Sequence, residues 1–239
     1  MARYASSDWH GNLKIAEKVF EFLKPEDELF FLGDAVDRGP DGIKIMNMLL
    51  RDKRVTYFKG NHEDMLSICV PELIEGHNHN MFWWCANGGD LTWQGLEHCS
   101  DDSKMWYVHK INQMPKIMYM DNSEGKHLIL SHAGTDPWFT EEDLRLMGRK
   151  DPYIWDRKHI HGGMWDEEYK DTYVIHGHTP VLSHYFMGYE PDTEVPEYPE
   201  PEVKCYANGH KFCIDMATFV TDQTVLFNLD TFEAIKIKA

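Results

Sequence analysis

The stretch Glu28-Leu29-Phe30-Phe31-Leu32-Gly33-Asp34-Ala35-Val36-Asp37-Arg38-Gly39-Pro40 sets the reading of this chain. Glu28–Leu32 is a short apolar run bounded by turn residues, which reads as a buried strand. It stops at a glycine-bearing cluster carrying two carboxylates and a guanidinium. The same grammar recurs on either side. Upstream, Arg3–Ser6 reads as a strand that stops at Ser7-Asp8-Trp9-His10-Gly11-Asn12. Leu13–Leu23 then places Leu13, Ala16, Val19, Phe20 and Leu23 at helical spacing until Pro25. Downstream, Ile43–Leu50 reads as a helix and Val55–Phe58 as a third strand, ending at Gly60-Asn61-His62-Glu63, which opens another helix. Leu128–Leu130 ends at Ser131-His132-Ala133-Gly134, and Tyr173–Ile175 ends at His176-Gly177-His178-Thr179-Pro180. Alternating strand and helix predicts an α/β fold, in which ligands gather beyond the carboxyl ends of the strands.

Between these landmarks, Glu72–Gln113 reads as helical and rich in Trp, interrupted by a turn at Asn87-Gly88-Gly89. Lys116–Met120 reads as a strand, and Thr140-Glu141-Glu142-Asp143 as a helix N-cap with acids in its first turn. The C-terminal part reads all-β: Phe212–Asp215, Phe219–Val220, Val225–Leu229 and Ala234–Lys238. Glu190–Glu202 holds four prolines and six acids, and reads as a solvated loop insertion rather than a linker, because strands resume after it. A single domain over residues 1–239 is expected.

Composition narrows the function classes. The 239 residues carry Asp+Glu 40 against Lys+Arg 24, a formal net charge of -16. That surplus argues against long duplex nucleic acid, whose affinity comes largely from Lys and Arg on phosphates, and against an acidic membrane face. With hydrophobic residues at 42%, the chain can build a core without disulfides. Its five cysteines are odd in number and lack C-x-x-C spacing, so free thiols in a reducing compartment are expected. No apolar run suggests a signal peptide or a membrane span, and a cytoplasmic location is the expectation.

Taken singly, an Asp or His in a turn is an ordinary cap. The ordered set is not ordinary: Asp8, His10, Asp34, Asn61, His132 and His178 all stand where apolar strands stop. Asp8 and His10 are two apart at a strand end and can point the same way. Carboxylate, imidazole and carboxamide without thiolate suit Mn²⁺, Fe or Zn²⁺. Six such groups exceed the needs of one tetrahedral ion, and fit two ions roughly 3.5–4 Å apart with a shared carboxylate.

The G-D-x-V-D-R-G run at Gly33–Gly39, followed by G-N-H-E at Gly60–Glu63, resembles the calcineurin-like metallophosphoesterase superfamily. Within it, the chain is similar to the phosphoprotein phosphatase (PPP) family of serine/threonine phosphatases in its compact phage and bacterial form. The resemblance runs from Asp8 to Ile214-Asp215. It implies a four-layer sandwich: two mixed β-sheets face to face, flanked by helices. It also implies two divalent metal ions, Mn²⁺ first, with Fe or Zn²⁺ as alternatives. Asp8 and His10 would serve the first ion, Asp34 would bridge, and Asn61, His132 and His178 would serve the second. Arg38 resembles a phosphate clamp, and His62 a general acid oriented by Asp37. Arg157, in Ile154-Trp155-Asp156-Arg157, matches a second phosphate-binding arginine of the phage-type enzymes.

The implied activity is hydrolysis of phosphomonoesters by direct in-line attack of an activated hydroxide, with a phosphoserine or phosphothreonine protein as substrate. A dinucleoside polyphosphate hydrolase is the alternative, and a catalytically silent metal-binding module a remoter one. The expected partner is a phosphorylated protein or a small phosphorylated substrate. Pro180 stands where broader relatives carry a further histidine, which argues against a general phosphodiesterase. Where compact relatives read I-D-x-G-A, this chain has Ile214-Asp215-Met216-Ala217-Thr218. His176 reads as structural, and His77, His79, His98, His109, His127, His159, His161, His184 and His210 as surface or structural residues.

Overall fold

Two five-stranded mixed sheets and their flanking helices form the molecule, as seen in a computed structural model that describes residues 1–146, 148, 151–161, 165–183 and 199–239. The first sheet starts with three parallel strands, β1 (Arg3–Ser6), β2 (Glu28–Phe31) and β3 (Val55–Tyr57). The helical crossovers are α1 (Leu13–Phe22) and α2 (Gly42–Arg51). Asn12 caps α1 by accepting the Ile15 N–H, which places its start at the end of the first turn cluster. The helix α3 (Asn61–Ile74) leaves directly from the third cluster.

Three further helices follow: α4 (Met81–Ala86), α5 (Gly89–Leu96) and α6 (Asp101–Asn112). The second sheet is then laid down by β4 (Ile117–Asp121), β5 (His127–Ser131), β6 (Thr172–His176), β7 (Lys204–Tyr206) and β8 (Lys211–Cys213), in the order β4-β5-β6-β8-β7. Between β5 and β6 lie α7 (Glu141–Leu146) and α8 (Pro152–Trp155). The chain ends with α9 (Thr218–Thr221), β9 (Gln223–Asn228) and β10 (Ala234–Lys238), which complete the first sheet as β10-β9-β1-β2-β3.

Strand alternation sorts the core into layers. Leu29 and Phe31 face the helices, with Ile15, Val19, Ile45, Leu49 and Leu66. Phe30 and Leu32 face the other sheet, where they meet Leu128, Leu130 and Ile175, together with Val225 and Phe227 from β9 of their own sheet. Phe31 is fully buried, so truncation to Ala costs about 3–5 kcal/mol.

Register brings the turn clusters together. Ser6 pairs with Phe31 and Phe31 with Tyr57, so the three parallel strands of the first sheet end level. Leu130 pairs with Ile175 and His176 with Cys213, so β5, β6 and β8 also end level. Backbone bonds then tie the turns to one another, Asp8 N–H to the Gly33 carbonyl at 3.0 Å and Gly177 N–H to the His132 carbonyl at 2.9 Å.

The structure corrects one expected element. Phe219–Val220 is not a strand but part of the single-turn helix α9. The Asp215 carboxylate accepts the Ala217 N–H at 2.9 Å, and Ala217 turns left-handed at φ 55°. That turn takes the chain out of the extended direction of β8, and a second left-handed residue, Asp222, returns it to β9. Two short elements, α8 and β7, carry too little apolar pattern to be expected from sequence. The acidic stretch 190–202 lies outside the described residues up to position 198. Its far end meets β10, with Glu200 Oε1 2.6 Å from Lys238 Nζ. The five cysteines form no disulfide. Among the described residues, no helix is long and apolar enough to cross a membrane.

Candidate metal centre

Six of the candidate residues sit on strained backbone. Asp8, His10, Asp34, Asp37, Arg38 and His178 all have φ between 43° and 68°. Left-handed backbone is uncommon outside glycine, and Asp, Asn and His tolerate it better than most. The expected strand alternation therefore does not align Asp8 with His10. Each leaves its own left-handed turn, and the two side chains approach to 3.9 Å between His10 Nε2 and Asp8 Oδ1.

Asp34 lies at the middle. Its Oδ2 is 3.8 Å from His10 Nε2, 3.8 Å from His62 Nε2 and 3.3 Å from His132 Nε2. The ligand-capable atoms form two buried groups that share Asp34: His10, Asp34 and His62, and Asp34, His132 and His178. Asn61 Oδ1 adjoins the second group, 2.9 Å from His132 Nε2 and 2.8 Å from His178 Nδ1. Asp8 stands beside both groups and accepts the His178 N–H at 3.1 Å. A Cβ at Gly60 would collide with the Asp34 carboxylate, and one at Gly177 with that of Asp8, so both glycines make room for a carboxylate.

Carbonyl groups set the imidazole tautomers. His10 Nδ1 donates to the Val36 carbonyl at 3.0 Å, and His132 Nδ1 donates to the Leu32 carbonyl at 2.8 Å. Both rings thus aim Nε2 at Asp34. Burial, with the Asp215 and Asp34 charges, raises the Asp8 carboxyl well above the usual carboxylate range. Burial opposes the charge on Asp34 too, but His132 and His62 hold it well below that range. The same burial opposes a charge on His132, yet the Asp34 carboxylate pushes it up to about 9. Burial lowers His10 and His178, helped by His62 and Arg38 for the first and by His132 and Arg157 for the second.

The donor set fits divalent cations. It combines oxygen and imidazole nitrogen without sulfur, and the shared carboxylate suits a pair of ions. Among the described residues, buried His178 Nε2 finds no hydrogen-bond partner, which is costly unless something binds it.

Around this centre, His62 Nδ1 lies 2.8 Å from Asp37 Oδ2. Asp37 is fastened by Trp84 Nε1 at 2.9 Å and by the Thr92 hydroxyl at 2.6 Å. Arg38 places Nη2 3.2 Å from His62 Nε2, and its N–H donates to the Gly88 carbonyl at 2.9 Å. Arg157 reaches the same edge, donating to the His178 carbonyl at 2.9 Å and to the Thr179 hydroxyl at 2.7 Å.

Sequence reasoning left several residues without a role. Glu63 accepts the N–H groups of Asp34, Ala35 and Gly60 and the Tyr57 hydroxyl, all within 2.8–2.9 Å, and so holds the turn that carries Asp34. Its place in G-N-H-E was the available signal. Trp84 and Thr92 flank Asn87-Gly88-Gly89, which is both a turn and a brace for Arg38. Asp215, which ends the stretch of resemblance, is buried and accepts the Ala217 N–H at 2.9 Å. His176 is structural, with Nε2 2.7 Å from the Tyr206 hydroxyl.

The chain is similar to several known proteins. Serine/threonine-protein phosphatase 2 of Escherichia coli (strain K12) is 30% identical over 129 residues, 53% of this chain and 55% of that protein. The asymmetrical bis(5'-nucleosyl)-tetraphosphatase PrpE of Oceanobacillus iheyensis is 24% identical over 181 residues, 65% of this chain and 63% of that protein. The chain therefore spans between half and two thirds of the length of these curated relatives. The crystal structure of a metallophosphoesterase from Sphaerobacter thermophilus superposes with a TM-score of 0.53 at 16% identity, covering 100% of this chain and 88% of that one. Residues 4–212 match the family described as Calcineurin-like phosphoesterase, and the chain belongs to that family.

Proposed function

We propose that this chain is a metal-dependent phosphomonoesterase acting on phosphoserine or phosphothreonine in proteins. One observation carries the reading: two buried ligand groups share Asp34, with two arginines at their edge. Asp8, His10, Asp34, Asn61, His132 and His178 would hold two divalent ions, Mn²⁺ being our first choice, while His62, whose Nδ1 is held by Asp37, keeps Nε2 for proton transfer. Such ions supply Lewis acidity, activating water near neutral pH and neutralising phosphate charge.

The chain's own residues do the rest. Arg38 and Arg157 present guanidinium forks, whose paired N–H groups match two phosphate oxygens. In the present arrangement the Arg38 guanidinium donates to His62 Nε2. When Arg38 turns to a phosphate, Nε2 is free to carry a proton and hand it to the departing oxygen. The Asp37 carboxylate faces Nδ1, holds the ring in place and offsets the charge it bears only while Nε2 carries that proton. Free thiols suit a reducing compartment, and we place the protein in the cytoplasm.

A second reading, hydrolysis of dinucleoside polyphosphates, is favoured by the similarity to the tetraphosphatase. The net charge of -16 counts against a long phosphate chain. A substrate panel on Mn²⁺-reconstituted protein separates the two. We expect the highest kcat/KM on phosphoserine or phosphothreonine peptides. Preference for dinucleoside tetraphosphate would move the reading to the second. Preference for cyclic diesters, or no turnover at all, would overturn both.

A further inference from the structure

We propose that Phe219 is a positioning residue that holds the Arg38 guanidinium over the metal centre by its aromatic face. This inference rests on the proposed role of Arg38 as a phosphate clamp. The Arg38 Cζ lies 4.6 Å from the centroid of the Phe219 ring. The same ring stands edge-on to His10, 5.8 Å between centroids. Phe219 therefore touches one candidate ligand and one candidate clamp. It is 44% exposed, which no core residue needs to be, and it forms a wall of a cavity of about 530 Å³ lined also by His10, Lys14, Arg38, Asp41 and Asp222.

The nature of the contact fits a clamp that must keep its charge. Among the described residues, the Arg38 guanidinium meets an imidazole nitrogen and an aromatic face, not a carboxylate. A carboxylate would orient the guanidinium but also neutralise it and occupy the N–H groups that a phosphate needs. A ring face attracts the cation through its quadrupole and leaves the edge of the fork available.

The backbone is built to deliver this ring. Ala217 adopts left-handed backbone at φ 55°, where compact relatives of the resemblance carry glycine, and Asp215 pins its N–H. The Thr218 hydroxyl donates to the Gln223 carbonyl at 2.8 Å, and the Thr221 hydroxyl to the Met216 carbonyl at 2.9 Å. The single turn α9 is thus fastened at both ends, with Phe219 projecting toward Arg38.

The test compares Phe219→Leu, Phe219→Tyr and Arg38→Ala in Mn²⁺-loaded protein. Inhibition by inorganic phosphate and turnover of an aryl phosphate are measured, with NMR of the Arg38 side chain in metal-free protein. Phe219→Leu is expected to raise the phosphate Ki about threefold to tenfold, the range an aromatic–cation contact supplies. Phe219→Tyr is expected to stay near wild type. In an Arg38→Ala background, Phe219→Leu is expected to change nothing further. The Arg38 δ-methylene protons should show an upfield ring-current shift that Phe219→Leu abolishes and Phe219→Tyr keeps. An unchanged Ki and shift in Phe219→Leu would overturn the proposal, as would an equal loss in the Arg38→Ala background. Should Phe219→Leu not fold, the wild-type shift and the Phe219→Tyr variant still decide. Absence of wild-type turnover would instead defeat the phosphatase reading, and the shift would remain a test of the contact.

Discussion

The Nδ1 of His62 lies 2.8 Å from Oδ2 of Asp37, with both side chains buried. Trp84 donates to the same carboxylate oxygen and Thr92 to the other, so the carboxylate has no freedom to turn away. If His62 protonates the leaving oxygen, Asp37→Asn removes the charge that stabilises its imidazolium while keeping the shape. Turnover of an alkyl phosphate such as a phosphoserine peptide should fall by about 10²-fold or more, within the range of general-acid catalysis. An aryl phosphate, whose leaving group needs little protonation, should lose far less. Steady-state kinetics on the two substrate types checks this, and equal losses on both would contradict the assignment.

Glu63 is the keystone of the turn beneath Asp34. Its carboxylate accepts four donors, and an amide at that position can accept at only one of its two atoms. Glu63→Gln should cost about 1–3 kcal/mol of stability, the penalty for buried donors left unpaired. It should also weaken Mn²⁺ binding by roughly 10–100-fold, because Asp34 loses its support. Urea unfolding and calorimetric titration with Mn²⁺ read the two effects separately.

His176 gives a pH signature. Burial pushes its imidazole down to about 3 from the usual 6.5, although its hydrogen bond to the Gly177 carbonyl works the other way. The unfolded chain therefore binds a proton at this residue below about 6.5 while the folded chain does not. Its contribution to stability is fully present above that pH, and is lost progressively as the pH falls toward about 3. The stability advantage of wild type over His176→Gln should shrink between pH 7.5 and pH 4.5 in metal-free protein (~3 pH units across the titration window). A constant difference across that range would show that the ring does not stay neutral when folded.

Ala217 carries a removable strain. Left-handed backbone at φ 55° disfavours any residue with a Cβ. Ala217→Gly should leave the fold intact and raise stability by about 1 kcal/mol, the cost of a strained non-glycine residue being about 1–3 kcal/mol and partly offset by the freer unfolded chain. Thermal unfolding checks the sign.

Much of this architecture was legible in the chain because the physics was local. An apolar run bounded by aspartate and glycine announced β2, and the polar clusters that close β1, β2 and β3 are made largely of residue types that tolerate left-handed turns. Register was not legible, since nothing in Ser6, Phe31 or Tyr57 says that they stand side by side. The roles of Trp84 and Thr92 are not legible in sequence, because they reach Asp37 from 47 and 55 residues away. The misread pair Phe219–Val220 is two apolar residues between turns, too short to show a period of either kind, and the left-handed Ala217 decided it.

The central claim is that Asp34 joins two ion sites and that hydrolysis depends on both. It is tested most directly by titrating metal-free protein with Mn²⁺ while following phosphate release from an aryl phosphate, for wild type and Asp34→Asn. The account predicts no release without metal, a rise that levels off near two equivalents per chain, and at least about 10²-fold lower turnover in Asp34→Asn. Release that survives chelation, or an Asp34→Asn protein as fast as wild type, would contradict it.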